Sequence, residues 1–286
     1  MTSSDALCNI FLTMKDFLSR QEVKYIKRRL AHKIRSFLNR FSVIVISGAR
    51  QVGKTTMLKN EFSDFAYYTL DDFDTIELLK TDPMFIFDKH DFIVIDEAQK
   101  MPEIFNTIKI VADNYKNKRV IISGSSNMLL MKNISESLCG RAAYFELLPM
   151  TLGEKKDITN PTNLSHLLNN TIKEETINEL EVSIYELLIR GFMPENMLSN
   201  DLVSISVWME SYIKTYLERD LRQLSQIESL IDFRRLKKVL ALRVGNILNQ
   251  AEIARETGIS TATTYRYIKL LEVSNIIELL GSFFYK

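Results

Sequence analysis

The stretch Gly48-Ala49-Arg50-Gln51-Val52-Gly53-Lys54-Thr55 fixes more about this chain than any other. It fits the pattern G-x-x-x-x-G-K-[ST], the phosphate-binding P-loop. The apolar run Val43-Ile44-Val45-Ile46 precedes it and reads as a buried strand, and a helical pattern follows from Lys54 towards Phe62. Strand, glycine loop and helix in that order belong to an α/β fold. Gly48 and Gly53 let the backbone curl so that its N–H groups face phosphate oxygens, and the helix adds its positive N-terminus. Lys54 is expected to reach the β- and γ-phosphates, and the Thr55 hydroxyl to ligate Mg²⁺.

The rest of the first half repeats strand and helix. Apolar strands are expected at residues 65–70, ending in Asp71-Asp72, at 92–95, at 120–123 and at 144–148. Helices are expected at about 75–80, broken at Pro83, and at 106–114. Short apolar strands alternating with helices predict a parallel sheet covered on both faces. Ligands in such sheets gather where the strands end. One strand ends in Asp96-Glu97, so Asp96 is expected in the Mg²⁺ shell and Glu97 as the general base that polarises water. Transfer to a small acceptor needs no second carboxylate there, so the pair favours hydrolysis.

Another strand ends in Gly124-Ser125-Ser126-Asn127, where Ser125 and Asn127 offer a hydroxyl and an amide to the γ-phosphate or the water; a polar turn is the plainer alternative. Arg141, just before the last core strand, is a second catalytic candidate, in its own subunit or a neighbouring one. Arg50 lies inside the loop and reads as solvated rather than catalytic.

At 286 residues and 46% hydrophobic, the chain can bury a large core. A net charge of +1 neither requires nor excludes a nucleic-acid partner. Cys8 and Cys139 have no metal-like spacing, which predicts free thiols. There is no signal-peptide pattern at the N-terminus and no apolar run of membrane length, so the expected location is cytoplasmic. Residues 1–22 read as an extension, with Met14 an alternative start. Residues 23–39 read as an amphipathic helix whose basic face is solvated.

Residues 155–173 are polar and Asn-rich and read as a linker. The expected division is a core at 23–155, a helical region with its linker at 156–228, and a winged-helix-like domain at 229–286. In the helical region, residues 177–189 and 201–224 read as helices. The second carries Val207, Trp208, Tyr212, Ile213 and Tyr216 on a face expected to be core. A further helix at 230–244 carries Arg234, Arg235, Lys237 and Lys238. Asn249 and Ser260 are expected to cap the two helices of a helix-turn-helix. Residues 276–280, Gly281-Ser282 and the tail from Phe283 read as a hairpin, completing a winged helix. Such a module contacts either DNA, through Thr261, Thr263, Thr264 and Arg266, or another protein.

With these residues placed, the chain resembles a prokaryotic family of AAA-type P-loop ATPases with a C-terminal helical and winged-helix region of unknown function. Residues 48–56, Thr56 included, look like its P-loop, and Ile93-Val94-Ile95-Asp96-Glu97-Ala98-Gln99 like its Walker B segment. Ser123-Gly124-Ser125-Ser126 looks like its sensor, and Gly140-Arg141 with Glu146-Leu147-Leu148-Pro149-Met150 like the segment after it. Gly191-Phe192-Met193-Pro194-Glu195 and Tyr216-Leu217-Glu218-Arg219-Asp220 look like motifs of its helical part. The resemblance implies ATP as the nucleotide and the strand order 5-1-4-3-2. Two functions follow as expectations: an Mg²⁺-dependent ATPase that moves its helical parts, or an ATP-gated DNA-binding switch. Relatives continue past the winged helix, so either a partner, a second copy for instance, is expected to cover the aromatic tail at 283–285, or the tail is expected to make the protein aggregate.

Overall fold

A computed structural model describes residues 25–124, 138–157, 183–199, 201–215 and 227–281. Its centre is a sheet of five parallel strands: β1 (Val43–Ser47), β2 (Ala66–Thr69), β3 (Phe92–Asp96), β4 (Arg119–Ser123) and β5 (Ala142–Glu146), in the order β2-β3-β4-β1-β5. Read from its other edge this is 5-1-4-3-2, the order that the resemblance implies. Side chains alternate across a strand. Val43, Val45, Ile93, Ile95, Val120 and Ile122 accordingly pack into one core, and Ile44, Ile46, Val94 and Ile121 into another.

The second core is closed by α1 (Arg29–Phe37) and α2 (Lys54–Glu61), through Ile34, Met57 and Leu58. The first is closed by α3 (Phe73–Thr81), α4 (Phe85–Lys89) and α5 (Ile104–Asn114), through Leu79, Phe87, Phe105 and Ile108. The expected helix at 23–39 starts only at Arg29, because residues 25–28 are not helical and Arg28 is extended, with φ −99° and ψ 128°. Beyond Pro83 the chain turns helical again as α4, which the proline break had concealed.

A short helix α6 (Leu152–Lys155) follows the sheet, opened by a capping box between Thr151 and Glu154. Further on come α7 (Ile184–Arg190), α8 (Pro194–Leu198) and α9 (Leu202–Tyr212). Between α7 and α8, Gly191 has φ 60° and Phe192 φ 55°, which reverse the chain. The turn is pinned by buried Arg190, whose Nη1 donates to the Asn196 carbonyl at 2.7 Å. It is also docked on the core. Met150 N donates to the Phe192 carbonyl at 2.8 Å, and Met150, Leu187 and Met197 form a small cluster with Ile26, Leu152 and Phe192.

The last three helices are α10 (Leu230–Leu242), α11 (Gln250–Thr257) and α12 (Thr261–Val273), around Phe233, Leu236, Ile253, Tyr267 and Leu271. Asn249 and Ser260 cap α11 and α12 as expected, accepting from Glu252 N and Thr263 N. No strand forms at 276–281. Asn275, at φ 58°, folds the chain back, and the Ile276 and Ile277 amides both donate to the Leu271 carbonyl. Those residues finish a helix end instead of starting a hairpin, and residues 282–286 lie outside the described residues. Among the described residues no helix is long and apolar enough to cross a membrane.

Candidate functional site

The strands of the parallel sheet end on the side of the loop that links β1 to α2. The loop encloses one side of a cleft of about 840 Å³. Gly48 has φ 149°, and a Cβ there would lie 2.4 Å from the Leu147 carbonyl oxygen, so only glycine lets the loop pass β5's exit this closely. Gly53, at φ 96°, turns the chain into α2. Gln51 also has a positive φ, 60°, and Ala49 and Val52 are buried beneath the loop.

Lys54 is 5% exposed, and its Nζ donates to the Gly48 and Ala49 carbonyls, both at 2.8 Å. Burial pushes the ammonium down to about 8, against the opposing pull of the Glu97 and Asp96 carboxylates. Lys54, Thr55, Thr56, Arg50, Gln51, Gly53 and Glu97 all line the cleft. The sheet thus brings together the loop, the strand-end carboxylate and the lysine, as the residue pattern predicts.

Asp96 is buried at the end of β3 and accepts from four groups. Thr55 Oγ1 and the Tyr67 hydroxyl each donate to Oδ2 at 2.6 Å, while the Ser123 hydroxyl and, at 3.0 Å, the Glu97 amide donate to Oδ1. Burial, then the Asp96 carboxylate, raises the Tyr67 phenol, which keeps it a donor. The hydroxyl of Thr55 beside a carboxylate is an all-oxygen donor pair, the kind a hard cation such as Mg²⁺ takes together with phosphate oxygens. Glu97 sits in the left-handed region at φ 55°, and its carboxylate accepts from the Gln99 amide, a second cleft residue.

Ser125 and Asn127 lie outside the described residues. Arg141 is described but stands away from the cleft. Ala142 pairs with Val43 and Glu146 with Ser47, so Arg141 is a strand's length from the loop. That is roughly 16 Å at about 3.3 Å per residue, farther than an arginine reaches. Its guanidinium pairs with Asp113, Nε to Oδ1 at 2.5 Å and Nη2 to Oδ2 at 3.1 Å. Contact with its own chain's nucleotide is therefore corrected, because a residue that precedes a parallel strand sits at the end opposite the ligand.

The opposite wall was not expected from sequence. It contains Tyr25, Ile26 and Arg28 from the N-terminal segment, Met150, and Pro194, Glu195 and Leu198 from α8. Of the Gly191-Phe192-Met193-Pro194-Glu195 segment, Pro194 and Glu195 thus line the cleft. From α9, Trp208 donates to Glu195 Oε2 at 3.0 Å and stacks on Tyr212, with centroids 5.2 Å apart and planes at 8°. The Tyr212 hydroxyl donates to the Arg50 carbonyl in the loop at 3.4 Å, while its ring packs against the core of α10–α12. On the face expected to be core, Val207 is exposed and Trp208, Tyr212 and Ile213 are only half-buried, with Ile205 the buried apolar position of α9; Tyr216 lies outside the described residues. Such a role has no periodic signal.

Residues 40–155 match the family model described as an AAA domain, and residues 181–286 match one described as a domain of unknown function (DUF8612). Residues 40–155 belong to the AAA-type P-loop ATPases. Behind this ATPase domain stands a C-terminal domain of unknown function. The chain is 28% identical over 261 residues to the uncharacterized protein Rv2008c of Mycobacterium tuberculosis, covering 90% of this chain and 54% of that one. It is 28% identical over 262 residues to the uncharacterized protein MJ1544 of Methanocaldococcus jannaschii, covering 85% and 57%. The chain spans about half the length of the curated relatives it matches. Among solved structures, the Walker-type ATPase PABY2304 of Pyrococcus abyssi aligns with a TM-score of 0.48 at 16% identity, over 90% of this chain and 91% of that one.

Of the C-terminal residues expected to face DNA, Thr261 and Arg266 are exposed and Thr263 is half-buried, but one is not accessible. Thr264 is fully buried, because it packs inward at the first turn of α12. Arg266 pairs with Glu228, Lys269 with Glu272, and Arg243 with both Glu252 and Glu256. Arg235 donates to the Thr257 carbonyl at 2.8 Å.

Proposed function

We propose that this chain binds ATP with Mg²⁺ in the cleft beside residues 48–56 and hydrolyses it, and that hydrolysis shifts α8 and α9 against the core. The observation that carries the reading is the meeting of Lys54, Thr55, Asp96 and Glu97 at one end of one sheet. Bound Mg²⁺ would supply charge neutralisation between the β- and γ-phosphates. Thr55 and Asp96 would hold it, and Lys54 would leave its two carbonyls to bind phosphate oxygen. Glu97 would take a proton from water as the water oxygen bonds the γ-phosphorus and the bond to the bridging oxygen breaks. Gln99 would orient Glu97 for that transfer.

The cleft has walls from both the ATPase domain and α8, so the presence or loss of the γ-phosphate would be felt on both sides. Isothermal calorimetry with ATP and a phosphate-release assay test the reading. Lys54→Ala is expected to lose binding, and Glu97→Gln to bind ATP but lose turnover. Equal loss of binding in both variants overturns the division of roles.

A further inference from the structure

Arg28 is a buried cation that the sequence pattern placed on a solvated face. It is 5% exposed and makes three directed bonds. Nε pairs with Glu154 Oε1 at 3.2 Å, Nη1 donates to the Val52 carbonyl at 2.7 Å, and Nη2 donates to the Leu148 carbonyl at 2.6 Å. Glu154 is itself fixed, accepting from the Arg29 amide at 2.9 Å and the Thr151 amide at 2.8 Å. One planar fork therefore ties the N-terminal segment, the phosphate loop, the exit of β5 and α6.

Stability alone does not explain such a group. A buried ion pair is often no more stabilising than apolar residues of the same size. What a guanidinium adds is direction, because its donors leave in a fixed plane. The Val52 carbonyl belongs to the peptide unit whose N–H is that of Gly53. In a planar trans unit the two point opposite ways, and no described peptide is cis. Holding the carbonyl thus sets where the Gly53 N–H points, and Gly53 lines the cleft.

We infer that Arg28 is a positioning residue of the phosphate site: it clamps the Val52–Gly53 peptide so that the loop presents the Gly53 N–H to the bound phosphate. This rests on the cleft's being a nucleotide site. The loop's backbone geometry explains why a clamp is needed. Gly48, Gln51 and Gly53 all have positive φ, at 149°, 60° and 96°, and glycine has two broad basins open to it.

The test compares ATP affinity by calorimetry, below the lowest melting temperature of the set. Arg28→Lys keeps the charge and loses the fork, and its ATP dissociation constant is expected to rise about tenfold or more, the value of one charge-assisted hydrogen bond. Glu154→Gln loses the ion pair but leaves the bond to Val52, so it should melt lower yet weaken ATP far less. If Arg28→Lys does not fold, the double variant Arg28→Gln with Glu154→Gln leaves no lone buried charge, and the same tenfold loss is expected relative to Glu154→Gln. Equal ATP affinity with and without the guanidinium overturns the inference, as does an equal loss in Glu154→Gln, which would mark general loosening. If the unaltered protein does not bind ATP, the nucleotide reading falls and takes this one with it; if it binds and Arg28→Lys binds equally, only the clamp is wrong.

Discussion

Raising the pH from about 7 to about 9 should weaken ATP binding through Lys54 alone. Its ammonium is buried and pushed down to about 8. Phosphate needs the charged form. The protonated fraction then falls from roughly nine-tenths to one-tenth over that range, and affinity falls about tenfold, or about 1.4 kcal/mol. The bound phosphates hold the proton on, so at about pH 8 each ATP should draw in about half a proton. Calorimetry in two buffers of different ionisation heat measures that uptake directly. Lys54→Arg stays charged throughout and should show neither slope nor uptake. A flat affinity in the unaltered protein, or the same slope in Lys54→Arg, would refute the argument. The sign for stability is the opposite one. Lys54 falls from an ordinary value of 10.5 to about 8 on folding, so the unfolded chain holds more protons between those values. Burying the charge costs about 3 kcal/mol in full below about pH 8, and this cost fades as the pH rises to 10.5. Part of it returns when phosphate arrives.

Glu97→Gln should lower turnover by about 100-fold or more while ATP affinity stays close to the unaltered value, read by single-turnover phosphate release. Gly48→Ala should lower stability by more than about 1 kcal/mol, because its Cβ would meet backbone that cannot move and its φ suits glycine; an unchanged melting temperature would contradict the close approach to Leu147. Thr264→Val should stabilise the C-terminal helices by about 1 kcal/mol in urea titrations, since the buried Thr264 hydroxyl has no hydrogen-bond partner among the described residues. If Arg141 acts across a subunit interface, Arg141→Ala should slow turnover by about 10³-fold or more, and mixing it with Glu97→Gln protein should restore part of the rate; normal hydrolysis by Arg141→Ala alone would exclude it.

The phosphate loop, its strand and Asp96-Glu97 are legible in the residues because each rests on short-range rules. Apolar runs mark buried strands, and a carboxylate at a strand end falls where parallel strands deliver ligands. Arg141's contact with its own chain's nucleotide fell to the same rule applied from the other side, since it precedes its strand. Arg28 was illegible because periodicity reports the faces of a helix, and this residue is extended, one step before the helix starts. Its burial depends on Glu154, more than a hundred residues away. The Gly191–Glu195 turn was visible as punctuation, but nothing local says which surface it meets. The missing strand at 276–280 has a local cause: a left-handed Asn275 commits the two isoleucines to closing α12.

Trp208 is the chain's only tryptophan. Its indole lies flat on Tyr212 and hydrogen-bonds a wall of the cleft. Intrinsic fluorescence therefore comes from a single, known place, between the phosphate loop and the C-terminal helices. No dye or engineered label is needed to time what happens there. A stopped-flow trace excited at the indole band would separate nucleotide arrival, phosphate loss and product departure as steps in one native signal.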